Sequence, residues 1–278
     1  MTPLQFTLLT FGISLGAGVL GSLLGLGGGI IVIPVLTLLV GIDIRYAVGA
    51  SIVSVIATSS GAAAAYVREH LTNLRVAMFL ELATTAGALT GAFLAGVIGG
   101  RALYLLFGLI LGYSAFQMFR KRNETSHGPV PPDAWADALR LHGEYYDEAA
   151  GTTVAYRVTH TGLGVALMYG AGIVSGLLGI GSGALKVPAM DLAMRLPIKV
   201  SSATSNFMIG VTAAASAGVY FMRGDIDPFV TAPVAAGVLL GATLGSRLLG
   251  KLESRVLRGV FVGVLCWVSL QMLSKGVR

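Results

Sequence analysis

Apolar residues run along this chain in long blocks separated by short polar punctuation. The blocks cover 4–41, 46–67, 76–98, 102–119, 161–194, 200–222, 228–250 and 256–273. Each of the shorter ones is close to the ~20 residues that a membrane-spanning helix requires. The long blocks 4–41 and 161–194 carry a glycine cluster, Gly25-Leu-Gly27-Gly28-Gly29 in one and Gly179-Ile-Gly181-Ser182-Gly183 in the other. Glycine is a poor helix former. The apolar piece after the first cluster, Ile30 to Val40, is too short to span at ~1.5 Å per residue. The pattern predicts an all-α polytopic membrane protein whose helices are broken at two equivalent places.

The equivalence is a repeat. Residues 16–121 align without gaps on residues 170–275 after a shift of 154 positions. Gly16, Gly25, Gly27, Gly29 and Pro34 fall on Gly170, Gly179, Gly181, Gly183 and Pro188. Ser51, Thr58 and Tyr66 fall on Ser205, Thr212 and Tyr220. A duplicated apolar half, interrupted by glycines at the same point in each copy, is the sequence pointer to a transporter built from repeats. The chain divides into a first membrane repeat (1–122), a linker (123–160) and a second membrane repeat (161–278).

Composition agrees. The chain is 55% hydrophobic and 12% charged, with mean hydropathy +0.81, whereas soluble domains carry about 25% charged residues. Its 39 glycines suit close helix packing in lipid. The net charge of +6 reflects basic loops, as the positive-inside rule expects, rather than a nucleic-acid partner. Met1 to Leu15 lacks a basic region and a cleavage signature, so no removable signal peptide is expected. The single Cys266 permits no internal disulfide and reads as packing.

Loop charge bears on topology. The broken block either spans, giving four crossings per half and parallel repeats, or enters and returns, giving three crossings and inverted repeats. Parallel halves leave eight Lys and Arg on each side, whereas inverted halves place 11 on one side and 5 on the other. Membrane proteins normally show such a bias. Six crossings plus two Gly-broken re-entrant hairpins are therefore expected, with both termini outside and the linker cytoplasmic. In that linker Pro129, Pro131 and Pro132 oppose helix, and Trp135 to Leu141 suits a short one. Tyr- and Thr-rich flanks around Glu148-Ala-Ala-Gly151 predict a small β-hairpin packed on the cytoplasmic face.

The glycine clusters evoke nucleotide motifs, but a membrane helix precedes each, and Val187 stands where a phosphate loop needs Ser or Thr. Non-helical backbone deep in a bilayer is tolerated where it lines a cavity or is buried in protein. The half-helices that follow, Ile30–Val40 and Ala184–Met194, would offer N–H groups and their positive dipole ends. Gly27, Gly28, Gly29, Gly181, Ser182 and Gly183 are thus candidates for anion binding at the midplane. Ser51, Ser205 and Asn206 join them because they lie near the starts of the adjoining helices. Lys186 aligns with uncharged Val32 and either meets an anion, pairs with Asp191 or snorkels. Glu81 and Asp191 are candidates to carry a coupling proton. No cluster has metal-ligand spacing and no nucleophile has an evident base, so neither metal, cofactor nor enzyme chemistry is expected.

The doubled signature Gly176-Leu-Leu-Gly-Ile-Gly-Ser-Gly with Pro188, its partner Gly21 to Pro34, and the run Ser201 to Asn206 resemble the TauE/SafE family of sulfite exporters and related anion permeases. The resemblance covers both halves. It implies a secondary carrier in the plasma (inner) membrane for small sulfur-containing anions: sulfite, thiosulfate or organosulfonates. A passive anion channel sharing the same site is the alternative. The expected partners are a small anion and the bilayer, with assembly as a homo-oligomer left open.

Overall fold

The computed structural model describes residues 2–120, 132–249 and 251–277. The first half contains α1 (Pro3–Leu24), α2 (Gly29–Pro34), α3 (Ile44–Arg68), α4 (Leu74–Ala95) and α5 (Gly100–Arg120). The second contains α7 (Thr161–Leu178), α8 (Gly183–Pro188), α9 (Ile198–Met222), α10 (Pro228–Leu249) and α11 (Ser254–Val277). Between the halves lie α6 (Ala134–Ala138) and an antiparallel hairpin, β1 (Gly143–Asp147) and β2 (Thr152–Tyr156). Seven of the described helices are long and apolar enough to cross a membrane, which makes this a multi-pass membrane protein.

Local chemistry sets the boundaries. Thr2 and Gln5 form a capping box with Pro3 in the first turn of α1. The helix ends where Gly25 turns left-handed, at φ 69°. α7 ends at Gly179 in the same way, at φ 66°. Both short helices carry proline in their last position and continue as π-helical turns, Val35–Leu39 and Ala189–Ala193. A proline lacks the N–H for a regular i→i−4 bond, and a wider turn accommodates that loss.

Small residues set the packing. α1 runs parallel to α10, with Gly241 over the Leu15 carbonyl and Gly18 over the Val238 backbone. α4 runs parallel to α7 through Gly87, Gly91, Gly172 and Gly176. α5 and α11 pack antiparallel, and Ser269 donates to the Gly108 carbonyl at 2.6 Å. Large apolar side chains such as Leu82, Phe93, Leu109 and Leu270 face outward, as a lipid-facing surface requires.

Contacts between helix ends define two ends of the bundle. At one, Lys275 donates to the Thr37 carbonyl, Arg101 to the Gly276 carbonyl and Arg223 to the Ala92 carbonyl. Phe6 near the start of α1 stacks on Phe229 at the start of α10, ring centroids 5.3 Å apart. At the other end, Asn73 donates to the Leu141 carbonyl and the Tyr156 hydroxyl, and the Thr159 N–H donates to the Met194 carbonyl.

The linker hairpin is docked there. Lys199 at the start of α9 is fully buried and donates to Asp147 at 2.8 Å. Burial alone would push the Asp147 carboxyl up; the Lys199 ammonium and the Ala150 N–H hold it below its ordinary value. Burial likewise raises Asp133, and the Thr161 N–H, at 2.6 Å, with those of Ala136 and Trp135 more than reverses it. That carboxylate thereby caps the first turn of α7 from outside. The expected hairpin and short helix are thus present; Pro129 and Pro131 lie outside the described residues.

Candidate functional site

Each break begins as a left-handed glycine at a helix end and finishes as the first turn of a short helix. Gly25, Gly27 and Gly28 have φ of 69°, 78° and 67°. Gly179, Gly181 and Ser182 repeat this at 66°, 74° and 57°. Ser182 is the exception, a side-chain residue in a region that favours glycine. Its hydroxyl donates to the Gly181 carbonyl at 2.7 Å.

The two breaks are in contact. A Cβ placed on Gly183 would lie 2.0 Å from the Gly25 carbonyl oxygen, and one on Gly29 would lie 3.4 Å from the Gly179 carbonyl oxygen. The bonding is reciprocal between halves. Ser51 on α3 donates to the Gly179 carbonyl at 2.7 Å, and its repeat equivalent Ser205 on α9 donates to the Gly25 carbonyl at 2.7 Å. Within each half a buried tyrosine anchors the helix end before the break: Tyr66 donates to the Ser22 carbonyl at 3.0 Å and Tyr220 to the Gly176 carbonyl at 2.7 Å.

Two apolar side chains fill the space beside the breaks. A Cβ on Gly27 would meet Ile209 Cδ1 at 2.8 Å and Val55 at 3.1 Å; one on Gly181 would meet Val55 at 2.7 Å. Val55 and Ile209 are equivalent positions in the repeat, and both are completely buried. Sequence reasoning missed them because an apolar residue in an apolar helix carries no signal. The pairing of α3 with α9 across the repeat was the available clue.

Ser51, Ser182, Ser205, Asn206 and Lys186 are all fully buried. The Asn206 amide N–H groups are spent on the Ser22 and Ser202 carbonyls. Among the described residues its Oδ1 has no hydrogen-bond partner, and neither has Ser202 Oγ. An anion needs a donor, so Ser202 is better equipped for that role than Asn206.

Lys186 reaches Glu81, 105 residues away in sequence, at 3.4 Å. Thr212 lies between them: its hydroxyl accepts from Lys186 at 2.6 Å and donates to Glu81 at 2.6 Å. Thr84 and Thr85 also donate to the Glu81 carboxylate, at 3.2 and 3.0 Å. Glu81 is only 8% exposed, so it lies within the packed helices. Asp191 is buried on the π turn after α8. Cys266 is exposed on α11, whereas the sequence suggested a packing role.

Fold and site together define a helical membrane transport protein of the repeat-built class, with paired glycine breaks in contact and a buried ion pair beside them. The sequence model of the family described as "Sulfite exporter TauE/SafE" matches residues 10–272. The chain belongs to that family. It is 25% identical over 272 residues to the probable membrane transporter protein YunE of Bacillus subtilis, covering 94% of this chain and 95% of that one. It is 28% identical over 246 residues to a probable membrane transporter protein of Xylella fastidiosa, covering 88% and 85% of the two chains. It is 24% identical over 282 residues to the probable membrane transporter protein MamO of Magnetospirillum gryphiswaldense, covering 94% of this chain and 44% of that longer protein. No solved structure matches.

Proposed function

We propose that this protein is a secondary carrier of small sulfur-containing anions (sulfite, thiosulfate or organosulfonates) in the plasma membrane, binding its substrate where the two breaks meet. The observation that carries the reading is the reciprocal contact of the breaks, each tied to a serine of the opposite half. Backbone without helical bonding at this depth is otherwise costly. Sulfur anions follow from the family description.

The same reading holds that the halves are inverted and that α1–α2 and α7–α8 are re-entrant. It is supported by the bundle ends. α1 starts beside α10, near Arg223, and the π turn after α2 finishes beside Lys275, at that same end. α7 starts, and the π turn after α8 finishes, at the hairpin end.

A carrier is favoured over a channel because Val55 and Ile209 close on both breaks and the serines between them are fully buried. An occluded site that opens to each side in turn transports without a continuous pore. The test is uptake into proteoliposomes across sulfite, thiosulfate, sulfoacetate and methanesulfonate, with a counterflow arm. Saturable flux that is accelerated by substrate on the far side is expected. Flux that never saturates and shows no counterflow would establish the channel instead.

A further inference from the structure

We propose that Lys186 and Glu81 are an exchangeable ion pair that couples one monovalent anion to one proton. The proposal rests on the anion-carrier reading and extends it to the coupling ion and the substrate charge.

The pair breaks the symmetry of the molecule. In the first half Thr58 donates to the Gly27 and Ser54 carbonyls, bracing its own break. Its equivalent Thr212 is instead held between a buried ammonium and a buried carboxylate. The repeat equivalents of Lys186 and Glu81 are Val32 and Ala235. Asp191, against Thr37, is a third unmatched buried charge; Lys186 and Glu81 are of opposite sign, and they meet. They also join the halves, because Glu81 belongs to α4 and both Lys186 and Thr212 to the second repeat. Lys186 lies one helical turn past Ser182, whose carbonyl accepts its backbone N–H at 2.8 Å. The ammonium is therefore within a side chain's length of the break.

A buried ion pair is weak evidence for stability, since desolvation offsets its attraction. Ionisable groups inside a membrane protein mark transport paths instead. Charge balance then dictates the step. With the site empty, ammonium and carboxylate cancel. An entering anion takes Lys186 as its counter-ion and leaves the buried Glu81 carboxylate uncompensated, which is strongly unfavourable. One proton from the aqueous side removes that charge by converting the carboxylate to a carboxylic acid. The loaded site is then ammonium, monovalent anion and neutral acid, again with no net charge. On release, Lys186 returns to Glu81 and the proton leaves with the anion. A divalent anion would leave one negative charge behind, so the arrangement selects monovalent sulfonates and bisulfite over thiosulfate.

Other charged groups on the packed elements are distributed toward the ends. Arg75 opens α4, Lys199 opens α9 on Asp147, Arg223 closes α9 on Asp225, and Asp191 follows α8 on its π turn.

The experiment uses the full chain in proteoliposomes loaded with a pH-sensitive dye, with methanesulfonate as probe and the membrane potential clamped. The expected result is lumenal acidification with a proton-to-anion ratio near one, unaffected by the clamped potential. An imposed pH gradient should raise accumulation several-fold. E81Q should lose both acidification and the response to the gradient. Because E81Q strands the Lys186 ammonium, E81Q/K186M is measured beside it; lacking both charges, it should fold and move neither anion nor protons. Methanesulfonate entry by the wild type without acidification, or at a rate set by potential, overturns the coupling and leaves the carrier reading standing. Failure of the wild type to carry sulfite, thiosulfate, sulfoacetate and methanesulfonate alike overturns that reading and this proposal with it.

Discussion

Gly183→Ala tests whether the contact between the breaks holds the molecule together. The residue opens α8 with φ outside the left-handed region, so alanine brings no conformational penalty and the effect is steric alone. The new Cβ would sit 2.0 Å from the Gly25 oxygen and 2.7 Å from Leu26 Cα. Carbon contacts are ordinarily about 3.5–4.0 Å, so the overlap with the Gly25 oxygen exceeds about 1 Å. Both obstructing atoms are backbone and cannot rotate away. Overpacking of this kind costs about 1–3 kcal/mol, and a rigid pair of backbones places it at the upper end. Gly170→Ala is the control. It lies within α7 with nothing inside 4 Å of the added carbon, so it should gain about 0.5–1 kcal/mol from reduced chain entropy. Gly29→Ala should fall between them, because the atom nearest its new Cβ is Ser51 Oγ, a side chain that can turn. The assay is thermal unfolding of the purified protein in detergent, followed by anion uptake in liposomes. The expected order of midpoints is Gly170→Ala at or above wild type, then Gly29→Ala, then Gly183→Ala. A Gly183→Ala protein as stable as wild type would show that the breaks do not press on each other as described.

Three further outcomes follow from the same geometry. Ser51→Ala and Ser205→Ala each strip a buried carbonyl of its donor and should cost about 1–3 kcal/mol apiece; a severe effect from one and none from the other would refute the reciprocity. Single cysteines at Ala149 and Val277, in a Cys266→Ser background, should label from opposite sides of the membrane, and cysteines at Leu4 and Leu39 from the same side. Labelling of Leu4 and Leu39 from opposite sides would sink the re-entrant reading. Asp147 is held below its ordinary value in the folded state, so its stabilisation of the hairpin is present above the free carboxylate value of about 3.9 and fades as pH falls below it. Protease protection of the hairpin should therefore drop toward about pH 3 in the wild type and lose this dependence in Asp147→Asn; equal protection at neutral and acid pH would argue against the ion pair.

The spans, the breaks and the hairpin were legible because each is imposed by a local rule. A bilayer demands apolar runs of fixed length, and glycine clusters at equivalent places mark where a helix cannot continue. Tyr- and Thr-rich flanks about a Gly-ended loop describe a hairpin without any tertiary knowledge. The π turns after Pro34 and Pro188 were not legible, although the prolines are their cause. What the sequence obscured most was the partner of Lys186. Asp191 stands five residues on, and proximity along the chain made it a natural choice, whereas Glu81 is reached only because α4, α8 and α9 meet. Yet the repeat held the clue. When two halves descend from one segment, matched residues such as Ser51 and Ser205 or Tyr66 and Tyr220 take matched roles in the fold. Positions where the halves differ are then where one half has acquired something the other lacks. Lys186 against Val32, and Glu81 and Asp191 against Ala235 and Thr37, are differences of that kind, in an interior where an isolated charge is strongly disfavoured. An unmatched buried charge is compensated by contact with one of opposite sign, so comparing the halves narrows the acids available to Lys186 to Glu81 and Asp191, and the meeting of α4, α8 and α9 selects Glu81.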